Sequence, residues 1–301
     1  MTENGQDAAY RIPAGTHPGL VALTVANLDG QVEFYQQALN MKLYWKHDHH
    51  AGLGAGGSDL LALTESDGAL RYHRVTGLYH LAIRYPDGAA LARAIARLFE
   101  LRIRNSPTDH IMTKSTYLED PEGNGIELYA ESPEDGSWRM EGGTFRAIRS
   151  DGTPSDGREP LDLEALFRNV NPDQPLDEPM PAGSIIGHVH LHVRDLHEAL
   201  DFYHGALGFD IMGVADEVGM AFVSAGGYHH HIGLNTWQGK GAPPAPGDAL
   251  GLRYFTILLP NGDDLARLKS RLTAIDTGFI EKDAGIEIED PSANRIRLES
   301  G

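Results

Sequence analysis

The sequence predicts an α+β protein assembled from four copies of one βαβββ module that close as two half-barrels. Three observations predict it. In four separate stretches, apolar alternation of period two, the mark of a strand, is followed by a helical repeat. The first and third stretches share an aromatic pair at one place in the helix, Phe34-Tyr35 and Phe202-Tyr203. The second and fourth share a Gly-Leu start and a closing turn and strand, DPEGNGIELYAE (Asp120 to Glu131) against DPSANRIRLES (Asp290 to Ser300).

Module one opens with GLVALTVANLDGQVEFYQQALNM, Gly19 to Met41, a strand followed by the helix that carries the first aromatic pair. His47, His49 and His50 follow Tyr44-Trp45 and read as a solvated hairpin. Module two begins at Gly77 with GLYHLAIRYPDGAALARAIARLFE, where a proline ends the strand and an aspartate opens the helix. Its turn, Glu119-Asp120-Pro121-Glu122-Gly123-Asn124, reads as tight and exposed. Ser132 to Gly183 is rich in Gly, Pro and Asp and reads as an ordered linker with one short helix near Leu161 to Val170.

Module three reads IIGHVHLHVRDLHEALDFYHGALGF, Ile185 to Phe209. His188, His190 and His192 alternate there with Val189, Leu191 and Val193. Asp195 then caps a helix in which Leu196, Leu200, Tyr203 and Leu207 recur before Gly208 ends it. Module four starts at Gly251 with GLRYFTILLPNGDDLARLKSRLTA. For 301 residues, about 150 per domain leads to two domains. Residues 17–131 hold modules one and two, 132–183 the linker, and 184–300 modules three and four.

Composition narrows the function. No run approaches the ~18 apolar residues of a membrane span, and 41% hydrophobic residues suffice for a substantial core. Met1 to Gly19 lacks the basic start and apolar centre of a secretory signal, so cytoplasmic residence is expected. The absence of cysteine excludes disulfides, zinc-thiolate sites and a thiol nucleophile, leaving His and carboxylates as the only strong metal ligands. A net charge of −18 argues against a nucleic-acid partner. Nothing in the sequence excludes a homo-oligomer.

When the modules are lined up, the first-strand position of His188 holds Leu20, His80 and Tyr254 in the others. The last-strand position of Glu127 holds Ala62, Gly233 and Arg297. Only module two supplies both a histidine and a carboxylate, and only module three can add a second histidine. His80, Glu127 and His188 are therefore the candidate metal ligands. Two imidazoles and a carboxylate form the facial set of non-heme Fe(II) oxygenases, which leaves adjacent positions open. The set requires modules two and three to pair around the metal, and modules one and four to pair without one.

His190 lies on the strand face of His188 and is a candidate to orient a ligand or contact oxygen. GGYHHHIGLNTW, Gly226 to Trp237, puts three more histidines before the last strand of module three. If alternation continues back from Gly233, His229 and His231 point inward and His230 outward. A bulge after Gly226-Gly227 would reverse this parity.

The motifs GLYH, DPEGNGIELYAE, GHVHLHVRDL and SAGGYHHHIGLNTW resemble the vicinal oxygen chelate superfamily of glyoxalases, bleomycin-resistance proteins and extradiol dioxygenases, and within it the catechol 2,3-dioxygenase branch. The resemblance spans nearly the whole chain. It implies an Fe(II) cofactor, with Mn(II) compatible with the same ligands, and cleavage of a small aromatic diol by O2. It further implies an acid/base histidine among His229, His230 and His231, and substrate-facing roles for Tyr117 and His110. One departure stands out. The better-known two-domain extradiol enzymes draw their ligands from modules three and four, whereas module four here offers Tyr254 and Arg297. A glyoxalase-like isomerase or thiol transferase, or a metal-free protein that binds aromatic drugs, are the alternatives the fold allows.

Overall fold

The helix of each module begins at an Asn or Asp whose side chain accepts a hydrogen bond from a first-turn backbone N–H: Asn27, Asp87, Asp195 and Asn261. That acceptor satisfies one of the donors a helix start leaves open, and it sets where each strand gives way to its helix. The computed structural model describes residues 10–141, 144–168 and 170–301. Positions 1–9, within the stretch read for a secretory signal, and linker positions 142, 143 and 169 lie outside the described residues.

Module one comprises β1 (His17–Val25), α1 (Leu28–Leu39), β2 (Lys42–His47), β3 (His50–Ala55) and β4 (Ser58–Glu65). Module two follows with β5 (Gly77–Arg84), α2 (Gly88–Glu100), β6 (Ser106–Asp109), β7 (Thr113–Glu119) and β8 (Gly125–Glu131). The connecting segment holds β9 (Gly136–Glu141), β10 (Thr144–Arg149), β11 (Pro154–Ser155), β12 (Glu159–Pro160) and α3 (Leu163–Phe167). Module three contains β13 (Ile185–His192), α4 (Leu196–Leu200), β14 (Asp210–Ala215), β15 (Met220–Ser224) and β16 (Ile232–Asn235). Module four ends the chain with β17 (Gly251–Leu259), α5 (Gly262–Ala274), β18 (Ile280–Lys282), β19 (Gly285–Glu289) and β20 (Arg295–Ser300). Mixed sheets packed with helices make this an α+β fold. Among the described residues no helix is long and apolar enough to cross a membrane.

Hydrogen bonding sorts the strands into two large sheets that each draw on both halves of the sequence, and a small third one of β11, β10 and β9. An eight-stranded sheet runs β18-β19-β20-β17-β1-β4-β3-β2, and a nine-stranded sheet runs β12-β6-β7-β8-β5-β13-β16-β15-β14. Their seams are the antiparallel pairs β1 with β17 and β5 with β13. Within each module the last strand pairs in parallel with the first. The partners are Ala22 with Ala62, Ala82 with Glu127, His190 with Gly233 and Thr256 with Arg297. Two residues before each first-strand partner stand Leu20, His80, His188 and Tyr254, so the strand register reproduces the lined-up positions of the sequence.

Alternation along these strands divides their faces. Leu81, Ile83, Val189 and Leu191 join the helices in one continuous hydrophobic core, while His80, His188 and His190 meet one another on the other face of the nine-stranded sheet. Burying each such Leu, Ile or Val contributes roughly 1.5–3 kcal/mol, and a one-residue slip in register would bring the histidines into that core instead. In the eight-stranded sheet the corresponding positions are filled by side chains. Trp45 occupies the space beside Gly52, and the Arg297 guanidinium lies 3.6 Å from the Tyr254 ring and binds Glu287 at 2.9 Å.

The turn at Asp120 differs from the exposed turn expected, because Asp120 and Asn124 are buried. The Tyr35 hydroxyl donates to Asp120 Oδ2 at 2.9 Å, and Tyr203 donates to Asp290 Oδ2 at 3.0 Å. Each tyrosine of the repeated aromatic pair thus fastens the helix of one module to the closing turn of the next. A buried carboxylate needs such donors, and this requirement draws the turn inward. The hairpin histidines His47, His49 and His50 are exposed, as read from the sequence.

Candidate metal centre

His80 is on β5, Glu127 on the adjacent β8 and His188 across the seam on β13, and all three are buried. His80 Nε2 and His188 Nε2 are 3.2 Å apart, and they lie 3.2 and 3.1 Å from Glu127 Oε2. Ligands held at right angles about 2.1 Å from one ion would be spaced about 3.0 Å apart, so this near-equilateral triangle fits a facial metal set. Among the described residues these three form the only metal-competent group of three or more His or acidic side chains.

The electrostatics suit a cation. Burial opposes ionisation of Glu127, yet the facing imidazoles of His188 and His80 hold its carboxyl well below the usual range. Burial lowers His188 to about 4, which keeps its imidazole neutral near pH 7. An ionised carboxylate and neutral imidazoles are the protonation states a metal requires. Ser115 Oγ donates to Glu127 Oε1 at 2.7 Å, leaving Oε2 toward the histidines. The Nδ1 atoms of His80 and His188 are buried without partners, so packing rather than hydrogen bonding sets these rings. His188 lies between Tyr129 and His230, with centroids 5.2 and 4.1 Å away, and His80 lies against Tyr79 and Tyr117 at 4.9 and 5.6 Å.

His110 and Tyr117 form a connected pair. His110 Nδ1 is 2.7 Å from the Gly157 carbonyl, which can only accept, so Nδ1 carries the proton. In the neutral ring Nε2 is then the acceptor, and the Tyr117 hydroxyl donates to it at 2.8 Å. Burial keeps His110 below its ordinary value and raises Tyr117 well above its own.

The segment after β15 reverses the strand parity. Gly226 and Gly227 adopt φ of 64° and 77°, in the left-handed region open to glycine, and β16 starts only at Ile232. His229 to His231 thus precede the strand and are not bound by its alternation, and His230 turns inward onto His188. His229 lies behind it, with its Nδ1 2.7 Å from His230 Nδ1 and its Nε2 3.4 Å from Glu131 Oε1. His231 is committed elsewhere: its Nδ1 accepts from the Ala225 N–H and approaches Ser224 Oγ, and burial lowers it to about 3.

His190 faces His80 across the seam, and its Nε2 is buried without a partner. Gly233, at the position lined up with Glu127, makes room for it, since a Cβ there would come within 2.8 Å of the ring. The carboxylate position of module three is thus occupied by an imidazole from its neighbouring strand.

Four participants went unread in the sequence: Ser115, Glu131, Trp138 and Tyr228. Period two along β7 and β8 offered a signal for Ser115 beside Tyr117 and for Glu131 beyond Glu127 and Tyr129. Trp138 belongs to the connecting segment, where its ring stacks on His230 at 6.1 Å and its Nε1 donates to the His110 carbonyl at 2.8 Å. Tyr228 donates to Glu131 at 2.5 Å. Neither of the last two followed a periodicity.

Comparison with known proteins places these features in a lineage. The family model described as glyoxalase/bleomycin resistance protein/dioxygenase superfamily matches residues 17–128 and 185–298. Catechol-2,3-dioxygenase of Bacillus subtilis (strain 168) is 38% identical over 279 residues, covering 92% of this chain and 94% of the relative. Lactoylglutathione lyase of Neisseria meningitidis serogroup A is 30% identical over 125 residues, covering 38% of this chain and 91% of that enzyme. Among solved structures, glyoxalase I from Zea mays aligns over 95% of this chain and 92% of its own, with a TM-score of 0.56 and 16% identity, a likeness of fold alone. Two family matches that together span most of the chain, and a relative alike along nearly its full length, establish that this chain belongs to the glyoxalase/bleomycin resistance protein/dioxygenase superfamily.

Proposed function

We propose that the protein is an Fe(II)-dependent extradiol dioxygenase that cleaves a catechol-type substrate with O2. The observation that carries this reading is the buried triangle of His80 Nε2, His188 Nε2 and Glu127 Oε2, with sides of 3.1 to 3.2 Å. The full-length similarity to a catechol-2,3-dioxygenase supports it. In this reading modules two and three form the half-barrel around the metal, and modules one and four form a metal-free half-barrel closed by Trp45 and Tyr254. The sequence domains, residues 17–131 and 184–300, each contribute one module to either half. Mn(II) is compatible with the same ligand set.

When bound, the metal supplies neighbouring open positions at which two adjacent phenolic oxygens and O2 meet. The residues around it do the rest. Tyr117, held by His110, is positioned to hydrogen-bond a substrate oxygen. His230 is the member of the histidine run best suited to move a proton at that oxygen. Its ring centroid is 4.1 Å from that of His188, and burial holds it well below the ordinary histidine value, favouring the neutral base. His229, anchored to Glu131, orients His230, and His231 fixes the loop through Ser224. The Nε2 of His190, buried without a partner, would be available to hydrogen-bond a reactant entering the site. A glyoxalase-type reading is disfavoured, because the ligand group contains a single carboxylate.

The test is anaerobic loading of the purified protein with Fe(II), followed by O2 uptake with a panel of catechols. Consumption of one O2 per ring opened, with a yellow ring-cleavage product, supports the reading. Stoichiometric metal with no catechol turnover would overturn it.

A further inference from the structure

A cavity of about 970 Å³ leads away from the metal site, bounded near the ligands by His80, Tyr79, Tyr117 and Trp237. It stands at the upper end of the roughly 300–1,000 Å³ of small-molecule sites, so an unsubstituted catechol would leave most of it unfilled. Its walls carry positive charge, although the protein as a whole is strongly acidic. Arg71, Arg104 and Arg253 line it, and none of the three binds a carboxylate among the described residues. Arg71 donates instead to the Glu122 carbonyl and the Asn124 side chain, and Arg253 to Thr64. Of the carboxylates on the cavity wall, Asp120 is consumed by Tyr35 and Asn124, which leaves Glu119 as the opposing charge.

A further cation comes from the connecting segment. The Arg158 guanidinium lies 5.8 Å from the Tyr117 ring centroid, and among the described residues it has no carboxylate partner. Tyr117 in turn lines the cavity beside His80, so Arg158 stands next to a wall of the cavity near the ligands. An exposed guanidinium resting on an aromatic face keeps its five donors available, and its planar fork matches a carboxylate.

We infer that the natural substrate is an extended catechol bearing an anionic arm, with the diol at the metal face and the arm's carboxylate bound by Arg158 beside Tyr117. This rests on the dioxygenase reading. The connecting segment then does more than join two halves: it carries the specificity determinant. Arg71, Arg104 and Arg253 supply an attractive field for an anion entering a molecule that otherwise repels one.

The experiment compares kcat/KM for three catechols that differ only in the end of one side arm, carboxylate, methyl ester or amine, in the wild type, Arg158→Met and Arg158→Lys. The wild type should favour the acid over the ester by about 10- to 100-fold, the range expected for a charge-assisted pair, with the amine poorest. In Arg158→Met the acid-to-ester ratio should fall to about one, and Arg158→Lys should restore part of it. Equal kcat/KM for acid and ester in the wild type, or an unchanged ratio in Arg158→Met, overturns the inference while leaving catechol cleavage intact. If Arg158 merely braces Tyr117, all three substrates slow together and the ratio does not move. Should no catechol be turned over, the dioxygenase reading fails. Calorimetric binding of acid against ester then reads the anion site by itself, and equal affinities refute it.

Discussion

His80 Nε2 and His188 Nε2 face each other at 3.2 Å, although 108 residues separate them in the chain. Two imidazole nitrogens so directed repel wherever both present a lone pair to the other. A cation in front of Glu127 Oε2 would relieve that conflict for all three side chains together.

Glu127→Ala should therefore remove most of the bound metal and the activity, while the far-ultraviolet circular dichroism stays native. Metal content by mass spectrometry after gel filtration is the measurement. Full occupancy in this variant would refute the ligand assignment.

Ser115 touches the carboxylate from behind, at 2.7 Å from Glu127 Oε1. Hydrogen-bond partners of this kind typically account for 10- to 100-fold in metal affinity or activity. Ser115→Ala should weaken metal binding by about that factor in a chelator competition, and Ser115→Thr should retain most of it. An unaltered affinity would mean that Glu127 is oriented by packing alone.

His230 and His231 should respond differently to alanine. Proton transfer by a placed side chain is worth ~10²- to 10⁴-fold, so His230→Ala should lower turnover by about that range with iron still bound. His231 is occupied by Ser224 and Ala225, and its loss should lower thermal stability more than turnover in iron-saturated protein. Near-normal turnover of His230→Ala would move the acid/base role to another group.

The Tyr203–Asp290 bond makes a pH-dependent prediction. Burial raises the Asp290 carboxyl, and Tyr203 is one of the donors that oppose the rise. A raised carboxyl pKa means the folded state keeps a proton that the unfolded state has lost. Stability from this group is therefore complete below the ordinary aspartate value and declines as pH rises through the folded one. Tyr203→Phe removes a donor and raises that value further. Its cost, about 1–3 kcal/mol for a buried bond to a carboxylate, should be larger near pH 7 than near pH 4. Urea unfolding at both values checks this, and a cost independent of pH would mean that Asp290 is ionised throughout.

The sequence by itself determined the repeating unit and where its residues of interest recur. Period-two alternation on β13 separates His188, His190 and His192 from Val189, Leu191 and Val193. The caps Asn27, Asp87, Asp195 and Asn261 mark the helix starts, and both signals are local in the chain. The positions of His80, Glu127 and His188 were legible for the same reason, since the strand register within a module follows from its own alternation. The ligand types already required modules two and three to pair, but the β5–β13 and β1–β17 seams join strands remote in sequence, and only the tertiary structure shows them. It alone turned His230 rather than His229 and His231 onto the site, because the histidine run lies ahead of β16, which begins only at Ile232, and is free of its alternation. It also brought Trp138 and Arg158 from the connecting segment onto His230 and Tyr117. Neither residue sits in a repeat, so only packing across the finished sheet could place it.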